Sequence, residues 1–127
     1  MENNTKKNQN VLTDCPVQHA HQFIGGKWRI GILWSLKNKK RRFGQLKREV
    51  LGISEKMLIQ ELKHLQKLEI IDRKAYHEIP PKVEYSLTLR GKSLIPLIEN
   101  IVEWGFEDME NHLKTTVNNV TAITESA

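Results

Sequence analysis

The sequence predicts a mainly α-helical domain carrying a two-stranded β-hairpin, an α+β arrangement with further helices at its N- and C-terminal ends. Three observations carry that expectation. Apolar residues recur at helical spacing in several segments. The short break "LGIS", residues 51–54, separates two of them. In "HEIPPKVEYSLT", residues 77–88, two prolines stand between runs of strand character.

Residues 1–13 are rich in Asn, Lys and Thr without apolar periodicity, and are expected to form a flexible N-terminal arm. Asp14 offers a helix N-cap, and Pro16 suits a first turn, where its missing N–H costs nothing. A short helix is expected to run to Ile24, with Val17, Ala20 and Ile24 on one face, until Gly25-Gly26 stops it. The next helix, "KWRIGILWSLKN", is apolar nearly all round through Trp28, Ile30, Ile32, Leu33, Trp34 and Leu36, which makes it the core helix. In "KKRRFGQLKREV" the residues Phe43, Leu46 and Val50 keep helical spacing, and Leu51-Gly52-Ile53 breaks the helix before Ser54 caps another. That second helix buries Leu58, Leu62 and Leu65 and turns Ser54, Lys56, Gln60, Lys63, His64 and Lys67 outward.

"IIDRKAYHEI" reads as a strand, and "VEYSLT" alternates Val83, Tyr85 and Leu87 with polar residues, the period of a half-buried strand. Pro80-Pro81 give no N–H to a ladder, so they mark a stiff tip that holds Lys82 outward. From about Leu89 to Leu113 a long helical segment is expected, bent at Pro96. Its apolar surface exceeds one seam: Leu94, Ile98 and Ile101 form one stripe, and Ile95, Val102, Phe106, Met109 and Leu113 another. Residues 114–127 are a tail without strong pattern, so the expected domain is 14–113. This order of elements is that of a winged helix-turn-helix with additional N- and C-terminal dimerisation helices.

At 127 residues and 39% hydrophobic, the chain suits one domain. No apolar run approaches the ~18 residues of a membrane span, the N-terminus lacks a signal-peptide core, and one cysteine excludes an intrachain disulfide, so a cytoplasmic location is expected. Net charge is +5 and unevenly distributed. From Cys15 to Arg48 there is no Asp or Glu against nine Lys and Arg, whereas from Glu99 onward acids dominate. A basic front half suits a polyanion, and an acidic end must face elsewhere.

The segments "CPVQHAHQFIGGKWRIGILWSL", "RRFGQLKREVLGISEKMLIQELKHLQK" and "EIPPKVEYSLTLRGKSL" resemble the HxlR-type transcriptional regulators, relatives of the MarR group, over about Cys15 to Trp104. The resemblance implies a bacterial, dimeric, operator-binding regulator.

The residues point the same way. A reader helix in the major groove must be exposed, capped and studded with hydrogen-bonding side chains, and residues 54–67 meet that demand through Ser54, Lys56, Gln60, Lys63 and His64. The run "KKRR", Lys39 to Arg42, leads into a helix start, where cations need compensation that phosphates supply, with Arg41 and Arg42 the expected DNA contacts. Lys74 and His77 on the leading strand and Lys82 at the tip complete the expected contacts to double-stranded DNA. A homodimer through Val17, Ile95, Val102, Phe106 and Met109 places two reader helices roughly 34 Å apart on a palindromic operator.

Cys15 is the candidate sensor of an oxidant or electrophile: it stands at a helix start with His19 one turn on, and the resemblance implies a sensing cysteine at this place. The alternative for Cys15 is simple packing. Other readings of the whole chain are a winged-helix protein-interaction module or a non-sensing architectural DNA-binding protein. An enzyme is not expected. The five histidines are scattered, no Gly-rich phosphate loop occurs, and no cofactor is implied. Cys15, His19 and His21 lack a fourth metal ligand, so no metal is expected.

Overall fold

The computed structural model describes the backbone of residues 15–126 and the side chains of residues 15–114. The expected arm, residues 1–13, and Asp14 lie outside the described residues. The chain divides into two compact units, one ending at Ile95 and one beginning at Pro96.

In the first unit, helix α1 spans Pro16–Ile24 and its N-cap is Cys15, a correction to the cap expected at Asp14. Proline at the first position fits because that N–H has no partner inside the helix. Phe23 is the residue α1 buries, while Val17 is 73% exposed. Helix α2, Arg29–Ser35, buries Ile32 and Leu33, and Leu36 just beyond it is buried too. Trp34 is exposed, so α2 is less enclosed than its composition suggests.

A two-residue strand β1, Arg41–Arg42, leads directly into helix α3, Phe43–Glu49. Helix α4 spans Glu55–Lys67, followed by strands β2, Ile71–Tyr76, and β3, Lys82–Leu87. The expected two-stranded wing is therefore three-stranded and antiparallel, in the order β1-β3-β2. Two arginines carry no period-two signal, so β1 exists through its pairing alone, with Arg41 opposite Tyr85 and Arg42 opposite Glu84. The β2–β3 register pairs Ile71 with Leu87 at the root and Tyr76 with Lys82 near the tip.

Between α3 and α4 the chain turns at Gly52, whose φ of 85° lies in the left-handed region that side chains disfavour. Helix α4 ends where Glu69 takes φ 61°, and two side chains secure that end. Thr88 donates its hydroxyl to the Glu69 carbonyl at 2.7 Å, and Arg90 donates to the Leu68 carbonyl at 3.1 Å. Thr88 also accepts from the Gly91 N–H at 3.0 Å and so caps helix α5, Leu89–Ser93. Gly91 is required there, since a Cβ would meet the Ile70 carbonyl oxygen at 2.2 Å. The core that unites these elements is Ile32, Leu33, Leu46, Ile53, Leu58, Leu62, Leu65 and Ile70, each no more than 2% exposed.

The expected single helix after Thr88 is two helices. The break falls at Leu94, before Pro96, and helix α6 spans Ile95–Ser126. Pro96 thus sits in the first turn of α6, where it removes no intrahelical bond and needs no kink. Ile95 closes the first unit and is only 8% exposed, which removes it from the expected dimer surface. Within the second unit α6 continues to Ser126, through a segment that has no strong pattern in sequence.

Candidate nucleic-acid interface

Helix α4 has the form a groove reader needs. Ser54 is its N-cap and accepts a hydrogen bond from the Met57 N–H at 3.1 Å, satisfying one of the free donors of the first turn. Leu58, Leu62 and Leu65 face the core, which rotates Lys56, Gln60, Lys63 and His64 into solvent together with Ser54. Acidic Glu55 lies in the first turn, where the helix dipole favours it. Glu61 faces the protein: Arg29 donates its Nε–H to Glu61 Oε2 at 2.8 Å, and both side chains are about four-fifths buried, at 17% and 20% exposure. The carboxylate is thereby withdrawn from the reading face, and Arg29 is spent on it. The Arg29 guanidinium also donates to the Gln22 carbonyl.

Arg41 and Arg42, adjacent in sequence, part company. Arg41 donates to the Ser35 carbonyl at 3.1 Å and pairs with Glu49 at 3.2 Å, with 18% of its side chain exposed. The same Glu49 carboxylate accepts from the Ser35 hydroxyl. Arg41 is therefore a structural clamp joining α2, β1 and α3. Arg42 is exposed, and its backbone N–H donates to Gln45 Oε1 at 2.9 Å at the start of α3.

Strand alternation sorts the wing into two faces. Arg41, Arg73 and Tyr85 share the inner face with the buried Ile71 and Leu87. Arg42, Lys74, Tyr76, Lys82 and Glu84 share the outer one. On that outer face the Tyr76 ring holds Lys74 Nζ at 4.9 Å and Lys82 Nζ at 4.8 Å. Lys82 also pairs with Glu84 at 3.9 Å. It is thus the first residue of β3, half-buried against its neighbours, and not a cation held out at the proline tip. The Glu84 carboxyl lies below its ordinary range, chiefly because the Tyr76 hydroxyl donates to it, with Lys82, Lys40 and Arg42 adding positive field and partial desolvation opposing. The Tyr76 hydroxyl is raised by the same bond, then by desolvation and the charges of Glu84 and Glu78. His77 lies just past the end of β2, exposed.

Two further residues that sequence reasoning missed lie on or beside α4. Arg73 lines a cleft of about 400 Å³ with Phe43, Ile59, Leu62, Lys63, Gln66 and Tyr85, and Ile59 is 41% exposed on α4. The run "DRKA" contains the signal for Arg73: a cation on the strand face that Tyr85 pairs with.

On α6, Val102, Phe106, Met109 and Leu113 recur at i, i+4, i+7 and i+11, one face of a helix. Phe106, Met109 and Leu113 are 60% or more exposed, and Val102 is half-buried. Trp104, 67% exposed, falls with Leu97 and Ile101 on a second stripe that sequence reasoning did not assign to a partner. Cys15 is half-exposed, and its carbonyl accepts the His19 N–H at 2.9 Å.

A capped, outward-facing polar helix beside a short antiparallel wing defines a winged helix-turn-helix DNA-binding protein. Comparison with known proteins gives the family. The HxlR-like helix-turn-helix profile matches residues 23–113, and the chain belongs to that family of transcriptional regulators. It is accordingly a regulator with a DNA-binding domain and not an enzyme. An uncharacterized HTH-type transcriptional regulator of Methanothermobacter thermautotrophicus is 43% identical over 91 residues, which cover 72% of this chain and 70% of that one. A MarR-family regulator from Porphyromonas gingivalis W83 superposes with a TM-score of 0.71 at 46% identity, covering 74% of this chain and 92% of that one. The redox regulator HypR in its oxidised form superposes with a TM-score of 0.71 at 39% identity, over 73% and 96% of the two chains. Among the described residues no helix is long and apolar enough to cross a membrane.

Proposed function

We propose that the protein binds a palindromic operator as a homodimer in the cytoplasm, with α4 reading base edges and the wing contacting the adjacent backbone. The observation that carries this is the capped polar face of α4, from which Ser54, Lys56, Gln60, Lys63 and His64 all project into solvent. Gln60 suits the bidentate pattern of adenine, and the lysines suit guanine edges or phosphates. Arg42, Lys74 and Lys82 supply phosphate contacts from the outer face of the wing, and Arg73 supplies one beside Lys63. The second subunit docks on Val102, Phe106 and Met109, with Val17 contributing from α1, since apolar surface of this extent gains from burial. The test is a mobility-shift titration on DNA flanking the regulator's own gene, across a salt series and against scrambled competitor. Loss of binding as salt rises, together with preference over the competitor, is the expected result. A salt-insensitive complex would end the proposal.

A redox response through Cys15 rests on two observations: Cys15 is a free, partly exposed residue at the start of α1, and the fold matches HypR, a redox regulator. With one cysteine in the chain, a two-electron oxidant such as diamide, which takes up both thiol hydrogens and is reduced to the hydrazine, joins Cys15 to the Cys15 of a second subunit or to a small thiol, while an electrophile such as a quinone alkylates the sulfur.

A further inference from the structure

We infer that the root of the wing carries a binding site for a small polyvalent anion, away from the first turns of α4. Three segments of the first unit converge there because of the β-register. Since Arg41 pairs with Tyr85, the residues before it, Lys39 and Lys40, run alongside Ser86 and Leu87. Helix α5 begins straight after β3, so Lys92 returns to the same place one turn later. Together with Leu36, Lys37 and Asn38 these residues line a cavity of about 570 Å³, within the range of small-molecule pockets.

Its lining holds four lysines and no carboxylate. Lys37 Nζ stands 4.3 Å from the Trp34 ring. Lys39, Lys40 and Lys92 form no ion pair among the described residues; Lys40 acts on Glu84 only through its field. Ammonium groups gathered in a concavity repel one another, and a bound anion relieves that repulsion while field focusing in the cleft attracts it. The Asn38 amide and the Ser86 hydroxyl add neutral donors. Flexible lysine point charges, without an arginine fork in the lining, accept either phosphate or carboxylate oxygens.

The cluster lies away from the wing tip and from the first turns of α4, while Lys40 stands two residues from Arg42 on the wing's outer face. The root pair Ile71–Leu87 lies five residues along the strand from Tyr76–Lys82, roughly 17 Å. It also follows the C-terminal end of α4, roughly 20 Å along the axis from the first turns that carry Ser54 and Lys56.

Calorimetric titration of the full chain without DNA tests the site, using citrate and pyrophosphate separately at constant ionic strength. One anion per chain should bind, and whichever of the two binds more tightly identifies the oxygen chemistry. Lys39→Ala and Lys92→Ala should each weaken it about tenfold, as loss of a charge-assisted contact does. Lys47→Ala, which removes the same charge elsewhere, should not. Operator affinity of Lys92→Ala should stay at the parent level. Absence of binding by both anions at millimolar concentration overturns the inference, as does equal weakening by Lys47→Ala. A Lys92→Ala loss of DNA affinity matching that of Arg42→Ala overturns it too, because the lysines would then be serving the DNA backbone. As the titration contains no DNA, its failure is distinct from a failure of operator binding.

Discussion

Arg29 at the start of α2 and Glu61 in the middle of α4 meet at 2.8 Å across 32 residues of sequence, largely removed from solvent. The pair fixes the rotation of the reader helix against the core helix. Arg29→Ala should leave Glu61 part-buried without its partner and destabilise the fold by about 1–3 kcal/mol in urea denaturation. An Arg29→Ala protein as stable as the parent would show that the pair positions nothing.

Gln60 and Arg42 should separate specificity from affinity. Gln60→Ala should relax preference at one base pair by about 1–3 kcal/mol, measured with a panel of single-base operator variants. Arg42→Ala should weaken all sequences alike and reduce the salt slope by about one. Arg41→Ala, its neighbour, should instead lower the melting temperature, because it loses contacts to Ser35 and Glu49.

The Tyr76–Glu84 bond makes the wing sensitive to pH in two directions. Glu84 lies below its ordinary 4.5, so the stability it contributes is present above that value and is lost as pH falls through the lowered one. Tyr76 is raised above 10.0, so its contribution is present below that value and is lost as pH rises through the raised one. Tyr76→Phe should return the Glu84 carboxyl toward its ordinary range in an NMR titration. An unchanged Glu84 titration would assign its shift to the lysines and Arg42 alone.

Val102→Glu or Phe106→Glu should yield monomers at micromolar concentration in sedimentation velocity, through the cost of placing a charge in an apolar interface. Specific operator binding should fall with the dimer, while the helical content stays. A dimer that survives both changes would direct attention to the Trp104 stripe.

Cys15→Ser should bind operator as the parent does and keep binding under diamide, whereas the parent releases it. Equal release by both proteins assigns Cys15 to packing.

The elements legible in sequence were those whose signal is local. Ser54 caps α4 because a hydroxyl before a leucine repeat can satisfy a free N–H, and Leu58, Leu62 and Leu65 point inward because 3.6 residues make a turn. The outward set on α4 follows from the same period, so the composition of that polar face was determined by sequence alone. The family match adds the regulator's identity to that face.

Long-range pairing decided the rest. β1 has no signature of its own and forms because Tyr85 and Glu84 present an open strand edge to Arg41 and Arg42. That pairing turns one arginine toward Glu49 and leaves its neighbour in solvent, a distinction that two identical letters cannot carry. Lys82 behaves likewise: the prolines announce a turn, but the register opposite Tyr76 sets the lysine on a ring and beside Glu84. Ile95 belongs by spacing to an outward stripe, yet tertiary packing buries it. Local periodicity determines which residues share a face; only the folded chain decides what each face meets, because a charge or an apolar surface takes its role from the partner that satisfies it.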